Sequence, residues 1–422
     1  MPKISKNTLL KYQPQKITIE TTINPLRIYE FNQKPVLNGD IVYICERELR
    51  AKDNFALQFA VQKAKELNSH LKIIHPKIIY EDKNKEEFLN RQISYTKDMF
   101  SKLNLDFEIE EEKTFFNRLK NLNAGMIIID FNPILERKNF DNLPCKIYEI
   151  DGHNIVPARF VSDKQEYGAM TLRRKIYYNI NPFITEFENV INQETEADLI
   201  LKDFIVNNLQ NYEVHKNNPV KNATSGLSKY LNLGFISSQR IALEVLKSNV
   251  SDINKEAFLE ELIIRKELAD NFCLYCKNFK TLNCIPNWAK SSLKNHRHDI
   301  RPYKYTLQEF ENAQTHDKLW NSTQKQLLTE GNVHGYLRMY WAKKIIEWSE
   351  SPNTALKIAI YLNDKYSYDA PSANGYTAIL WATGGLHDRA FQDWFITGKI
   401  RRMTFNSIKH KFNIDDYISK YK

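Results

Sequence analysis

The chain changes its hydrophobic period once, and that change constrains its fold more than any other feature. Over residues 1–165, short apolar runs of β type alternate with amphipathic helical stretches. DIVYIC (Asp40 to Cys45) leads into NFALQFAVQKAKELN (Asn54 to Asn68), and LKIIHPKI (Leu71 to Ile78) leads into KEEFLNRQISYTKDMFSKL (Lys85 to Leu103). FEIE, a helical stretch over Phe115 to Leu122 and the run GMIIIDF (Gly125 to Phe131) complete the series. Strands that alternate with helices return parallel, so this half predicts an α/β domain with a doubly wound parallel sheet. Neither a G-x-G-x-x-G nor a P-loop occurs, which excludes an ordinary dinucleotide or nucleoside triphosphate site.

Beyond about Glu194 the period is helical to the end of the chain. FLEELIIRKELADNFCLYC places Phe258, Leu262, Arg265, Leu268 and Phe272 at three- and four-residue steps, one face of a long helix, and GYLRMYWAKKIIEWS predicts another. The expected organisation is an α/β domain over residues 1–165, a linker over 166–198 and an all-α domain over 199–422. No apolar run approaches the ~20 residues of a membrane span. The opening segment MPKISKNTLLKYQPQK lacks the apolar centre of a secretory signal, so an intracellular protein is expected.

Charge and cysteine bound the chemistry. Lysine and arginine outnumber aspartate and glutamate by 60 to 51, a net charge of +9. The stretches Lys290 to Lys304 and Lys399 to Lys411 are strongly basic and interleaved with aromatic or apolar residues, as a DNA-binding face requires. An odd count of five cysteines argues against a disulfide framework. Cys273 and Cys276 form a C-x-x-C with Cys284 nearby, but a closed metal site wants about four ligands. The pair reads as part of an apolar helix, and no metal is expected.

All six tryptophans lie in the last third of the chain. Trp341 and Trp348 are seven apart on a predicted helix, on one face and ~10.5 Å apart along its axis. Such a stripe is ordinary core packing unless its context says otherwise. The context is a set of long motifs: WNSTQKQLLTEGNVHGYLRMYWAKKIIEWSESPNTALKIAIYLNDKYSYD (Trp320 to Asp369), NGYTAILWATGGLHDRAF (Asn374 to Phe391), SGLSKYLNLGFISSQRIALE (Ser225 to Glu244) and FLEELIIRKELADNFC (Phe258 to Cys273). With DGHNIVPARFVSDKQEYGAMTLR and ERELRAKDNFAL, they make the chain resemble the class II cyclobutane pyrimidine dimer photolyases, of the photolyase/cryptochrome family, over nearly its whole length.

The resemblance implies a flavin enzyme that splits pyrimidine dimers in UV-damaged DNA with light, using reduced FAD held in the helical domain. It assigns Tyr212 and the turn Ser225-Gly226-Leu227-Ser228 to the flavin phosphates, although serine before a helical run is also an ordinary N-cap. Asn363 matches the asparagine beside the flavin ring, and Arg338 with Asp369 the charged pair next to it. Trp341, Trp320 and Trp348 match the photoreduction chain in that order from flavin to surface, with Tyr340 and Tyr305 as companions. Glu261, Met339 and Trp381 match the pocket for the flipped-out dimer, although Glu261 and Arg265 also have the spacing of a surface ion pair. Lys216 and Asn217 match contacts to DNA near the lesion, and Arg389 and Arg401 match residues that clamp the duplex. An antenna chromophore, a deazaflavin or a folate, goes with the family, and no residue here settles its identity. A monomer acting on dimer-containing DNA is expected, with a light sensor of cryptochrome type and a non-enzymatic DNA-binding module as the alternatives.

The chain departs from the family pattern in places. Lys216-Asn217-Asn218-Pro219 stands for the usual Arg-Asn-Asp-Pro, which keeps the charge and loses the bidentate fork. Ala370-Pro371-Ser372-Ala373 lacks the usual arginine and aspartate after Asp369. Lys229 replaces a proline, Asn232 a histidine, and Arg402 a frequent aromatic.

Overall fold

A computed structural model describes residues 15–17, 21–187, 193–221 and 223–422. Residues 1–14 of the opening segment and 188–192 of the expected linker lie outside them. Six strands form one sheet: β1 (Ile28–Glu30), β2 (Asp40–Ile44), β3 (Leu71–Lys77), β4 (Phe107–Glu111), β5 (Ala124–Asp130) and β6 (Lys146–Ile150). Their order is β1-β6-β5-β2-β3-β4, with β1 antiparallel to β6 and every other pair parallel. The expected parallel sheet is thus present, with one short antiparallel strand added at its edge. A three-residue edge strand carries too little alternation to announce itself.

Successive residues of the central strands serve opposite faces. Ile41, Tyr43, Met126 and Ile128 pack with α1 (Phe55–Glu66) and α2 (Lys83–Lys102). Val42, Ile44, Ile127 and Ile129 pack with Phe115 and Leu119 of α3 (Glu112–Asn121). Covering both faces makes the strands read as unbroken apolar runs rather than as alternation. The helices begin where side chains cap them: Asn54 accepts from Leu57 N (2.8 Å), and Asp82 accepts from Lys85 N (2.8 Å).

The segment expected to link the domains contains α4 (Ala169–Asn179) and a strand, Thr185–Phe187, which pairs in parallel with Gln15–Ile17. The helices that follow and bear on the site are α5 (Asp252–Leu259), α6 (Lys266–Tyr275), α7 (Lys318–Glu330), α8 (Gly335–Trp348), α9 (Pro352–Tyr366) and α10 (Ala373–Gly384). A π-helical turn, Glu260–Arg265, joins α5 to α6. It adds a residue to that turn, so the predicted single face is interrupted. Phe258, Leu262, Leu268 and Phe272 are buried while Arg265 points outward. No helix among the described residues is long and apolar enough to cross a membrane.

The cysteines correct an expectation. The helix ends at Tyr275, Cys276 takes an extended backbone, and its sulfur bonds to Cys284. Cys273 stays buried and free on α6. Because α6 stops one residue early, the C-x-x-C is not a pair on one helix, and the eight-residue separation to Cys284 closes a small loop instead.

One turn clasps the α/β part to the helices. Buried Asp130, at the end of β5, accepts from the backbone N–H groups of Glu46, Arg47 and Glu48 (2.8, 2.8 and 3.0 Å) and from Tyr43 Oη (2.8 Å). Across the interface Arg47 pairs with Asp270 at 2.8 Å, and Arg50 donates to the Gly234 carbonyl at 2.8 Å. Gly234 has φ +72°, and a Cβ there would collide with the Arg47 carbonyl oxygen. Gly234→Ala is expected to destabilise the protein by about 3 kcal/mol or more, the sum of a left-handed penalty and a backbone clash. Urea unfolding at unchanged m-value would show it, and a midpoint equal to the parent's would contradict it.

Candidate active site

Two tryptophans come from α8 and one from α7, and their packing sets the order. Trp341 and Trp320 lie parallel, 6.4 Å between ring centroids with planes 5° apart. Trp320 meets Trp348 edge-on at 6.2 Å and 67°. All three are buried. Trp320 therefore stands between the two tryptophans that helical spacing had already placed on one side of α8. Hydrogen bonds hold the rings: Trp320 Nε1 donates to the Trp341 carbonyl (3.0 Å), and Trp341 Nε1 donates to Gln324 Oε1 (2.8 Å). Asp317 caps α7 by accepting from Trp320 N (2.9 Å), and Tyr340 Oη donates to its other oxygen. Trp348 in turn touches Tyr305 (5.9 Å) and His316 (4.8 Å).

Arg338 of α8 makes an ion pair with Asp369, its Nη1 3.1 and 3.2 Å from the two carboxylate oxygens, and Nη2 reaches Asn332 Oδ1 and Ser367 Oγ. Both partners are largely buried. Asn363, on α9, is buried and donates to Asp364 Oδ1 (3.1 Å). Gly375 of α10 lies against it: an added Cβ would come within 3.0 Å of the Asn363 amide nitrogen.

The turn Ser225–Ser228 has an open inner side. Gly226 has φ +67°, and a Cβ built on it would meet no atom within 4 Å. Ser225 Oγ accepts from Leu227 N (3.4 Å), whereas the following short helix, Ser228–Asn232, has Leu227 at its N-cap and no side-chain cap. Ser225 is thus not an ordinary helix cap. A left-handed glycine after Ser225, with Ser228 two residues on, is a backbone that can approach phosphate oxygens closely, so these residues fit the flavin the resemblance implies. Two departures from the family pattern meet here: Asn232 donates to the carbonyl of Pro371 (3.1 Å), joining this turn to the altered loop after Asp369.

Tyr212 is buried against Phe204 and Phe258, and burial followed by the Glu261 carboxyl raises its phenol pKa. Lys216, one turn on, pairs with Glu213 at 2.6 Å. Asn217 is exposed beside it. Glu261 sits in the π turn with its surface open to solvent. Surrounding protein nevertheless raises its carboxyl above the usual carboxylate range, opposed by Arg265 and Lys216. Arg265 bonds Glu260 (3.4 Å) rather than Glu261, so the i,i+4 surface pair allowed by the spacing does not form.

Met339 and Trp381 are half-buried on α8 and α10. Lys343, one turn beyond Met339 and passed over in the sequence, lies buried with Nζ 4.4 Å from the Trp381 ring centroid. It donates to the Ala382 carbonyl (3.2 Å), and burial pulls its pKa down to about 7. Its signal was present as i+4 from Met339. Arg389 and Arg401 are exposed and both pack against Phe391, at 5.3 and 5.4 Å from its centroid. Arg402, which stands where an aromatic is common, covers Trp394 at 5.0 Å.

No family model matches the chain. Solved structures share its fold: a class III photolyase from Agrobacterium tumefaciens (16% identity, TM-score 0.65, covering 93% of this chain and 88% of that one) and a Synechocystis cryptochrome (14%, 0.66, 91% and 86%). Curated relatives are closer in sequence. The deoxyribodipyrimidine photo-lyase of Arabidopsis thaliana is 33% identical over 91% of this chain and 89% of its own length. The Potorous tridactylus protein of that name is 35% identical (90% and 80%), and the Methanothermobacter thermautotrophicus one is 30% identical (95% and 99%). Identity at this level along almost the full length of relatives sharing one name leaves a single assignment: the chain belongs to the deoxyribodipyrimidine photo-lyase family.

Proposed function

We propose that this protein is a lyase that uses light to split cyclobutane pyrimidine dimers in DNA, in the class II manner. The observation that carries the reading is the Trp341–Trp320–Trp348 column, in a chain that shares a third of its residues with named photo-lyases. FAD, when bound, supplies the light absorption and the electron lent to the dimer. The protein binds, orients and excludes water. Tyr212 and the Ser225–Ser228 turn hold the phosphates, and Asn363 with the Arg338–Asp369 pair borders the ring. Arg338 is tied to Asp369, so it lends positive potential there without a net buried charge. The tryptophan column carries electrons inward when an oxidised cofactor must be reduced.

On the substrate side, Glu261, Met339 and Trp381 receive the extruded dimer. A damaged pair costs less to open, which contributes selectivity. Lys216, Asn217, Arg389 and Arg401 grip the strand. A raised pKa extends to higher pH the range in which Glu261 is protonated and able to donate to a thymine carbonyl. Dimer affinity is then expected to fall as pH rises through that raised value, because the donor is lost. Glu261→Gln, which donates at every pH, should remove the slope. A titration with equal slopes for parent and variant would take this role from Glu261.

The deciding experiment is repair itself. Protein reduced with dithionite is mixed with UV-irradiated oligo(dT) and followed by thymine absorbance under blue light and in the dark. Light-dependent recovery establishes the reaction. No recovery with FAD spectrally bound overturns it in favour of a light-sensing flavoprotein.

A further inference from the structure

The tryptophan column does not end at Trp348. Tyr305 meets that indole edge-on at 5.9 Å, and its backbone N–H donates to the Trp348 carbonyl at 3.0 Å, which fixes it to the end of α8. The Tyr305 phenol is enclosed by hydrogen bonds. Its Oη lies 2.7 Å from His316 Nδ1 and accepts from the His316 backbone N–H at 2.9 Å. The His316 ring also packs against Trp348 (4.8 Å) and stacks on Tyr303 at 3.6 Å and 15°. Tyr305 is half-buried, whereas His316 and Tyr303 are exposed. An oxidisable ring thus stands against the outermost tryptophan with a base on its hydroxyl and water beyond.

Oxidation of a phenol becomes easier when its proton has somewhere to go. From this geometry we infer that Tyr305 and His316 form a proton-coupled terminal donor. The Trp348 radical cation left by inward electron flow takes one electron from Tyr305 and becomes neutral tryptophan. The Tyr305 O–H bond breaks, its proton passes to His316 Nδ1, and a neutral tyrosyl radical remains until an external thiol returns a hydrogen atom. His316 then releases the proton to solvent. The charge leaves the column, so back-transfer toward the core loses its driving force. This step rests on the proposed tryptophan route; it adds a base that the spacing of the tryptophans does not announce.

The surroundings keep His316 able to accept. Partial burial lowers its pKa, with Lys344 acting in the same direction and Asp317 opposing both. Lys344 is held by Glu347 at 2.6 Å, and Tyr303 and Tyr305 are the other titratable groups facing the ring. These surroundings favour the neutral imidazole, and the step should fail as pH falls and Nδ1 is protonated.

Flavin-loaded protein, oxidised and flashed with blue light in the presence of a thiol, provides the test. The parent should show a neutral tyrosyl radical by transient absorption and electron paramagnetic resonance, slowed in deuterated water. Its ¹⁵N imidazole spectrum should show His316 with Nδ1 unprotonated. His316→Phe preserves the ring stack and removes the base. It should lose the tyrosyl signal and lower the photoreduction yield by up to about 100-fold, the low end of what a positioned proton acceptor contributes. Tyr305→Phe should match it, with no further loss in the double variant, and free imidazole should rescue His316→Ala. An undiminished tyrosyl radical in His316→Phe, or a doubly protonated His316 in the parent at neutral pH, overturns the inference while leaving the tryptophan route standing. A parent that binds flavin yet never photoreduces overturns the route and this step together.

Discussion

Trp320→Phe should lower photoreduction of the oxidised, flavin-loaded protein by about 100-fold, equivalent to about 2.7 kcal/mol on the barrier. Repair by protein reduced beforehand with dithionite should be nearly unchanged. The middle ring is the most sensitive point because its neighbours lie 6.4 and 6.2 Å away on either side, while they are ~10.5 Å apart along their own helix. Removing the indole opens one long gap in place of two short ones, and electron transfer falls steeply with gap width. A phenyl ring fills much of the space but oxidises far less readily. Loss of packing and of the 3.0 Å bond to the Trp341 carbonyl should cost about 1–3 kcal/mol of stability, which urea unfolding would register separately. Repair lost together with photoreduction would mean that the site itself had been damaged. Unchanged photoreduction would remove the column from the electron path.

The second large effect is expected on DNA. Replacing both Arg389 and Arg401 by alanine should weaken binding to a dimer-containing duplex by about 100-fold, as two lost charge-assisted contacts would. The dependence of log affinity on log salt should become shallower by about 2. Both guanidiniums are exposed and braced on Phe391, so they present charge outward with little freedom to collapse. Phe391→Ala should reproduce part of the loss by releasing both. Photoreduction, which needs no DNA, should be untouched in both variants. If affinity for damaged and undamaged duplex fell equally, the pair would be a general phosphate grip. An unchanged salt slope would place the DNA elsewhere.

The layers of the fold were legible because they follow from local periodicity. Apolar runs flanked by amphipathic helices specified the sheet core, and the bounds of α1 and α2 fall within a few residues of the expected ones. The short edge strand β1 and strand β6 were missed: one has three residues, and the other, KIYEI, buries Lys146 and Glu149 among its apolar residues and so shows neither an apolar run nor an alternation. Individual site residues were assigned through long motifs, and the spacing of Trp341 and Trp348 followed from the pitch of one helix.

The contacts that give those residues their neighbours belong to the tertiary structure. Nothing local says that Trp320, on another helix, slides between Trp341 and Trp348, or that Lys343 lies under Trp381. The π turn that exposes Glu261 and Arg265, the Cys276–Cys284 bond and the Tyr305–His316 hydrogen bond were equally silent. The physical reason is common to all of them. A helix or strand repeats within a few residues, so its pattern is written where it forms. A contact between elements depends on crossing angle, loop path and the volume of every side chain between them, and those are settled only when the whole core packs at once.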